Sequence, residues 1–474
     1  MSKYFVKLPE RVSFWDPALS YTRKRALKYI GRQLLILTVT IWTVLSLFLG
    51  ANYNTPKYLP NLRVGIYDFD QTELGSLITN TIISTINSPT QITFERVPTS
   101  GYRSVEDVIE VIRHDKWGGV VIGANLTESV LLAVATDERF SVDDKVYALY
   151  SEGRQVVTAD KYVQTPVREA AGIASYVVAN YALSAIKARL DSGQDAYTES
   201  ALTPIEPQII NVAPLSFPLG AIYPILGFIL SYLFIMIPSI IIRSLIYPIS
   251  NKISFHSLLV WKFAFLMVWN LVMAVFSTLA LLAFKGPNYS KLSYGLPFTA
   301  GRWFSIMGIM LAYLTNACFF FNAGMMLLPV DMIAVVSLFF VLPNVASLVI
   351  DPTITSRFFR WFYILPFHTA GGLYQYVLSG AYPRLGRDIS LLVGEIAGTM
   401  ALWVLFEYIR YVWINNGKCD ASGWHAGYFI YLGPGYPKPS ADTGTGPAPV
   451  ATAIPLRPDA SGRTIINEDE KDDK

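Results

Sequence analysis

Charge is what this sequence has least of. Only 15% of its 474 residues are Asp, Glu, Lys or Arg, where a soluble globular chain carries about 25%. Together with a hydrophobic fraction of 52% and a mean hydropathy of +0.38, that deficit excludes an ordinary cytosolic enzyme and a disordered regulator. The net charge of +3 is too small to point to a nucleic-acid partner. Cysteine is scarce as well. Cys318 falls in an apolar run and Cys419 in a polar one, so no disulfide framework is expected. The histidines, His114, His256, His368 and His425, show no metal-ligand spacing. No phosphate-binding GxxxxGK[ST] loop occurs. Its nearest trace, Gly417-Lys418, has Cys419 where the magnesium-binding hydroxyl belongs. The expectation is a chain with no cofactor, no metal and no enzymatic activity, which any ATPase would serve as a separate partner.

The apolar residues are gathered into runs long enough to cross a bilayer, for which about 20 residues suffice. Six spans are expected, at 33–51, 218–242, 258–284, 303–328, 330–350 and 389–414. The first starts too far from the N-terminus, and is too long, for a cleaved signal peptide. Residues 1–32 hold Lys3, Lys7, Arg11, Arg23, Lys24, Arg25, Lys28 and Arg32, and the far flank of the first span is nearly bare of cations. The positive-inside bias then puts both termini in the cytosol, with Arg243, Lys252 and Lys262 counted among the cytosolic flanks. The loop at 351–388 weakens the bias, because it adds Arg357, Arg360, Arg384 and Arg387 to the outside. The N-glycosylation motifs at Asn125 and Asn288 both fall outside in this scheme. The long later spans suit a thick plasma membrane, with the endoplasmic reticulum as the other candidate.

Residues 52–217 separate the first two spans and are polar enough to fold in water. Strand patterns at 62–67, 91–97, 119–122 and 146–150 alternate with helical ones at 72–86, 105–112 and 163–190. That alternation predicts an extracytosolic α/β domain. It contains no cysteine and must rely on its core. Residues 1–32 read as a cytosolic basic amphipathic segment attracted to anionic lipid, and 415–474, rich in Gly, Pro, Ser and Thr, as a disordered cytosolic tail.

Several polar residues stand out. Asp68 and Asp70 are too few for a calcium site and read as a turn, with Asp70 and Thr72 capping the helix that follows. Glu395 sits one and a half turns into the sixth span, near its outer end. A carboxylate there costs about 2.5–3.5 kcal/mol to insert, so it faces protein or water and is a candidate for a substrate or proton site. Glu407 lies at the spacing of a helix pair with Arg410. Asn270, Asn316, Asn322 and Asn344 read singly as interhelical glue and as a set could line a polar path. Pro224, Pro238 and Pro343 kink or interrupt spans. The loop at 351–388 clusters Phe358, Phe359, Trp361, Phe362 and Tyr363 around Arg357 and Arg360, then carries Pro366 and Gly371-Gly372. That composition suits an interfacial or re-entrant hairpin with its rings at headgroup level. The rival is a seventh span at 361–380.

Three stretches resemble a known family. Residues 64–75, VGIYDFDQTELG, resemble a strand and Asp-x-Asp turn that open an outer domain. Residues 115–130, DKWGGVVIGANLTESV, resemble its second signature, a strand followed by an amphipathic helix. Residues 344–380 resemble its segment after the fifth span, with an Asn start, a basic-aromatic middle and a Pro-x-His turn. With one span, an outer α/β domain and five more spans, the chain resembles the ABC-2-type permease superfamily. The likeness is greatest to its YhgE/Pip-like branch and, within that, to the fungal nitrosoguanidine-resistance membrane proteins. The resemblance runs from about residue 30 to 415. It implies a permease-like body, often a homodimer, that confers tolerance to toxic compounds by export or by lipid and membrane remodelling. The candidate substrate path is Glu395, Asn316, Asn322, Asn270 and His368. The alternative is a non-transporting membrane regulator or scaffold that binds other proteins through its outer domain and cytosolic ends.

Overall fold

The computed structural model describes residues 20–136, 145–193, 207–242, 253–284, 294–327, 333–381 and 384–415, with Trp15, Pro17 and Asp195. The Asn288 glycosylation motif, Arg243, Lys252, Cys419, His425 and the tail read as disordered lie outside the described residues.

The chain enters on α1 (Ser20–Asn52) and passes through a 3-10 segment, Thr55–Asn61, into an α/β domain. The domain is built on β1 (Arg63–Asp68), α2 (Glu73–Ile86), β2 (Thr93–Val97), α3 (Val105–His114), β3 (Gly118–Ile122), α4 (Leu126–Thr136) and β4 (Val146–Tyr150). A short turn, α5 (Val156–Thr158), and a π-helical stretch, Ala159–Val163, lead into the long α6 (Gln164–Asp191), and β5 (Gln208–Asn211) closes the sheet. The sheet order is β2-β1-β3-β4-β5. The strands β1, β2 and β3 run parallel, β4 turns antiparallel to β3, and β5 follows β4.

Alternate strand residues face opposite layers. Val64, Ile66, Val120, Ile122 and Ala148 pack under α2, α4 and α6, whose apolar faces present Ile78, Ile82, Val130, Val134, Val167 and Ala174. On the other side Tyr67, Val121 and Leu149 meet Val108, Ile109 and Ile112 of α3. Gly65 and Gly119 make that second layer possible. A Cβ on Gly65 would stand 2.7 Å from the Tyr67 ring, and one on Gly119 would stand 2.6 Å from Ile112. The ring of Tyr67 lies where two side chains would otherwise be.

Among the described residues five helices are long and apolar enough to cross a membrane: the Ile30–Asn52 part of α1, α7 (Tyr223–Ile241), α8 (Phe255–Phe284), α9 (Ala300–Leu327) and α12 (Leu385–Asn415). The chain is a polytopic helical membrane protein. A further apolar helix, α10 (Ile333–Val349), is described over 17 residues, about 26 Å of rise. It lies within the span that the sequence pattern predicts at 330–350, of which 330–332 fall outside the described residues. The helix α9 is the centre of the bundle, with 56% of its apolar window buried, against 11% for α12 and 17% for α1.

After α10 the chain runs through 3-10 segments Pro352–Ile354 and Arg357–Ile364 into α11 (Pro366–Ser379). At 14 residues, α11 is about 21 Å long, too short for a hydrocarbon core of about 30 Å. Its first turn packs deep in the bundle, with Phe367 against Phe228, Tyr313 and Phe340. Its last turn reaches the α/β domain, where the Ser216 hydroxyl donates to the Leu378 carbonyl at 2.6 Å. The helix thus joins the bundle at one end and the α/β domain at the other. The domain is fastened to it at a second point. A Cβ on Gly153 would stand 2.1 Å from Ser379 Oγ, so only glycine leaves room for the Ser379 side chain. Beside it the Gln155 amide donates to the carbonyls of Leu348 and Val349 at 3.0 and 3.2 Å. It thereby satisfies carbonyls that the end of α10 leaves open.

Candidate functional site

The five residues expected to line a path fall into three separate places. Glu395 and Asn316 meet across α12 and α9, with Asn316 Nδ2 donating to Glu395 Oε2 at 2.8 Å. The hydroxyl of Thr399, one turn on from Glu395, donates to Asn316 Oδ1 at 3.0 Å. Glu395 Oε1 is buried and accepts nothing among the described residues. Asn316 is just past the midpoint of α9, so Glu395 lies level with the middle of the bundle. The helix α12 begins at Leu385, so Glu395 stands nearly three turns into it instead of one and a half.

Asn270 and Asn322 flank Cys318 instead. Asn322 Nδ2 donates to its own helix at the Cys318 carbonyl, at 2.9 Å, with Cys318 Sγ at 3.5 Å. Asn270, fully buried on α8, lies beside the thiol, and neither of its amide atoms completes a hydrogen bond among the described residues. His368 is elsewhere again. It stands in the first turn of α11, its Nδ1 3.1 Å from the Ser347 carbonyl, while its Nε2 is buried with no hydrogen bond among the described residues. Asn344 is glue of a specific kind. Its Oδ1 accepts from the Phe367 backbone N–H at 3.0 Å and so caps α11 from the neighbouring helix.

One buried pair was not foreseen. Lys262 Nζ lies 2.6 Å from Glu407 Oε1, with the two side chains 1% and 3% exposed. Lys262 is therefore not a flank charge, and Glu407 takes a lysine from α8 rather than Arg410 of its own helix. Arg410 is buried alongside, with its Nη1 3.9 Å from Met326 Sδ. A signal existed: Lys262 has apolar or aromatic residues for four positions on either side, so it could not reach water by lying in a loop.

Residues 33–401, from the apolar part of α1 through the α/β domain and into α12, match one family. The chain belongs to the family described as Protein of unknown function (DUF3533). No curated protein and no solved structure matches it. The DUF3533 stretch contains Glu395, Asn316, Thr399 and Lys262, whereas Glu407 and Arg410 lie beyond it.

The same stretch includes a cleft of about 470 Å³ on the α/β domain, lined by Asp70, Thr72, Asn125, Thr127, Glu128, Leu131 and Leu132. It opens at the carboxyl ends of β1 and β3, where the strand order reverses, the usual place for a ligand on such sheets. Its aspartate and threonines are already engaged. Asp70 accepts from the Thr127 backbone N–H at 3.1 Å and from the Thr127 hydroxyl at 2.6 Å, and also from the Thr72 hydroxyl. Asp70 thus caps α4, not the α2 that follows it. Asp68 accepts from the Gln71 N–H at 3.1 Å and pairs with Arg96 at 3.3 Å. Asn125 stands exposed at the lip in a left-handed conformation, φ 59°. Among the described residues no cluster of metal-ligating side chains occurs.

Proposed function

We propose that the chain is an ABC-2-permease-like membrane protein that confers tolerance to toxic compounds by export or by lipid and membrane remodelling, with no ATPase of its own. In this reading six helices cross the plasma membrane, with α10 as the fifth crossing. The α/β domain is extracytosolic, both termini are cytosolic, and Asn125 and Asn288 are glycosylation sites. The basic excess of residues 1–32 supports that orientation even without Lys262.

The observation that carries the reading is the half-satisfied Glu395. A carboxylate held within the bundle by Asn316, which Thr399 in turn holds, with one oxygen left open among the described residues, is costly unless used. A re-entrant α11 beside the last span supports the permease likeness. A homodimer is supported by α12, where Gly386, Ser390, Gly394 and Gly398 recur every four residues on its exposed face. A Cβ at any of the three glycines would meet nothing within 4 Å. Stripes of small residues let membrane helices approach closely.

The test is flux of labelled toxicant or fluorescent lipid in proteoliposomes, with and without nucleotide, comparing wild type with Glu395→Gln and Asn316→Leu. Flux that falls at least tenfold in both variants, with unchanged incorporation, is the expected result, such a ratio being about 1.4 kcal/mol of barrier. Unchanged flux in both overturns the assignment of Glu395. No flux under any condition favours the second reading, a non-transporting regulator. That reading has its own observation: Leu77, Leu131 and Leu132 are 44–49% exposed beside the domain cleft.

A further inference from the structure

The 3-10 segment Arg357–Ile364 has three residues per turn, so side chains three apart stack in register. Its eight residues sort cleanly into three faces. Phe359 and Phe362 form the first, 7% and 0% exposed, and Phe359 packs against the outer end of α1, where a Cβ on Gly50 would stand 3.1 Å from its ring. Phe358, Trp361 and Ile364 form the second. Phe358 is 68% and Ile364 54% exposed, with Trp361 half-buried between them. Arg357, Arg360 and Tyr363 form the third.

The segment lies where α1 and α10 end and the α/β domain begins, and Asn61 Nδ2 of the domain donates to the Thr353 carbonyl just before it at 3.0 Å. That is the level at which hydrocarbon gives way to headgroups. The second face suits acyl chains and the third suits anions. Arg357 and Arg360 are exposed, and neither makes a salt bridge or a side-chain hydrogen bond among the described residues. At the end of their face the guanidiniums of Arg384 and Arg387 lie 4.8 and 5.0 Å from the Tyr363 ring centre. Four guanidiniums therefore gather on or beside one face. Of the nearby carboxylates, Asp351 accepts from the Thr353 N–H at 2.7 Å, and buried Asp388 pairs with Arg387 of the cluster at 2.7 Å, which leaves Arg357 and Arg360 as the exposed pair.

We infer that Arg357 and Arg360 hold the phosphate of a membrane phospholipid in the leaflet next to the α/β domain, with its acyl chains against Phe358, Trp361 and Ile364. Guanidiniums match phosphate oxygens in two-point geometry, and the adjacent apolar face supplies what a free anion does not need. The site requires only that the helices cross a membrane and is independent of whether the protein transports anything.

Native mass spectrometry of the full-length protein purified in detergent tests it, with three probes: phosphatidic acid, diacylglycerol with the same chains, and inorganic phosphate. Wild type is expected to retain phosphatidic acid and to release diacylglycerol, which lacks only the phosphate. Inorganic phosphate at equal concentration is expected not to displace the lipid. In Arg357→Gln/Arg360→Gln, phosphatidic acid retention should fall roughly 30-fold, since each basic group near the surface contributes about fivefold. The control Arg103→Gln/Lys187→Gln removes two exposed charges from the α/β domain and should retain the lipid as wild type does. Both variants change exposed side chains, and size-exclusion elution verifies their folding. Equal retention by the arginine variant overturns the site. Displacement by inorganic phosphate replaces it with a free-anion site, and an equal loss in the control reduces it to diffuse surface charge.

Discussion

Two buried carboxylates at the end of a domain strand and two buried polar side chains of the helical bundle are treated in opposite ways. At the end of β1, Asp68 and Asp70 are 3% and 8% exposed, yet both accept from backbone N–H groups, hydroxyls or a guanidinium. In the bundle Asn270 uses neither end of its amide, and Glu395 uses one oxygen of two. The difference lies in the supply of donors. Turns and helix starts leave backbone N–H groups open, and the domain places its aspartates beside them. In continuous membrane helices every such N–H is already committed, so an acceptor there finds only another side chain. Asn344 proves the rule from inside the bundle. It is well satisfied because α11 begins next to it and brings an open N–H.

The comparison can be broken first at Lys262. Lys262→Met leaves Glu407 buried and unpaired, and should cost roughly 3–5 kcal/mol, read as a large drop in melting temperature in detergent. Glu395→Gln keeps the acceptor for Asn316 and should cost under about 1 kcal/mol. A Glu395→Gln protein as unstable as Lys262→Met would mean that Glu395 carries structure after all.

Next is the contrast within the asparagines. Asn344→Leu orphans the Phe367 N–H and should cost about 1–3 kcal/mol, whereas Asn270→Leu removes an amide without bonds and should be neutral or stabilising. Denaturant titration of the two variants side by side checks the order, and the reverse order would undo the donor-supply argument. In the domain, Asp70→Ala removes the cap of α4 and should cost about 1 kcal/mol, seen as faster amide exchange over Leu126–Val130 with α2 unchanged.

The smallest effect is one of pH. Burial raises the Glu152 carboxyl above its usual range, opposed in part by a 2.6 Å hydrogen bond from Asn211, and burial raises Asp160 as well. Groups raised in the folded state favour it while protonated, so their contribution is full below the ordinary carboxylate range near pH 4 and fades as pH rises through the raised value. Glu152→Gln should flatten the melting-temperature profile on that alkaline side. A profile unchanged from wild type would place the titration elsewhere.

Much of the domain was legible in the sequence. The strand at 146–150 and the helix from Val105 stand where alternation and the i, i+3, i+4 stripe put them. The fifth strand, Gln208–Asn211, was not legible, because four residues are too few to show a period and only β4 gives them a place. Spans are written in composition, and five of them were read from it. Pairings between spans are not. Asn316 and Glu395 are 79 residues apart, and the tempting local spacing of Glu407 and Arg410 lost to a lysine 145 residues away. The aromatic-basic cluster at 357–364 was visible as composition, but its division into three faces required knowing that the backbone turns every three residues.

The shortness of α11 also bears on biogenesis. A segment of 14 residues containing a histidine and a glutamine cannot be handed to lipid by itself as the chain emerges. Its first turn needs the carboxamide of Asn344 and the rings of Phe228 and Tyr313, its middle needs the ring of Tyr223, and its last turn needs the loop at Gly153. Insertion of α11 must then wait until its neighbours have docked, which makes it the closing step of assembly and the place where quality control would sense an unfinished molecule.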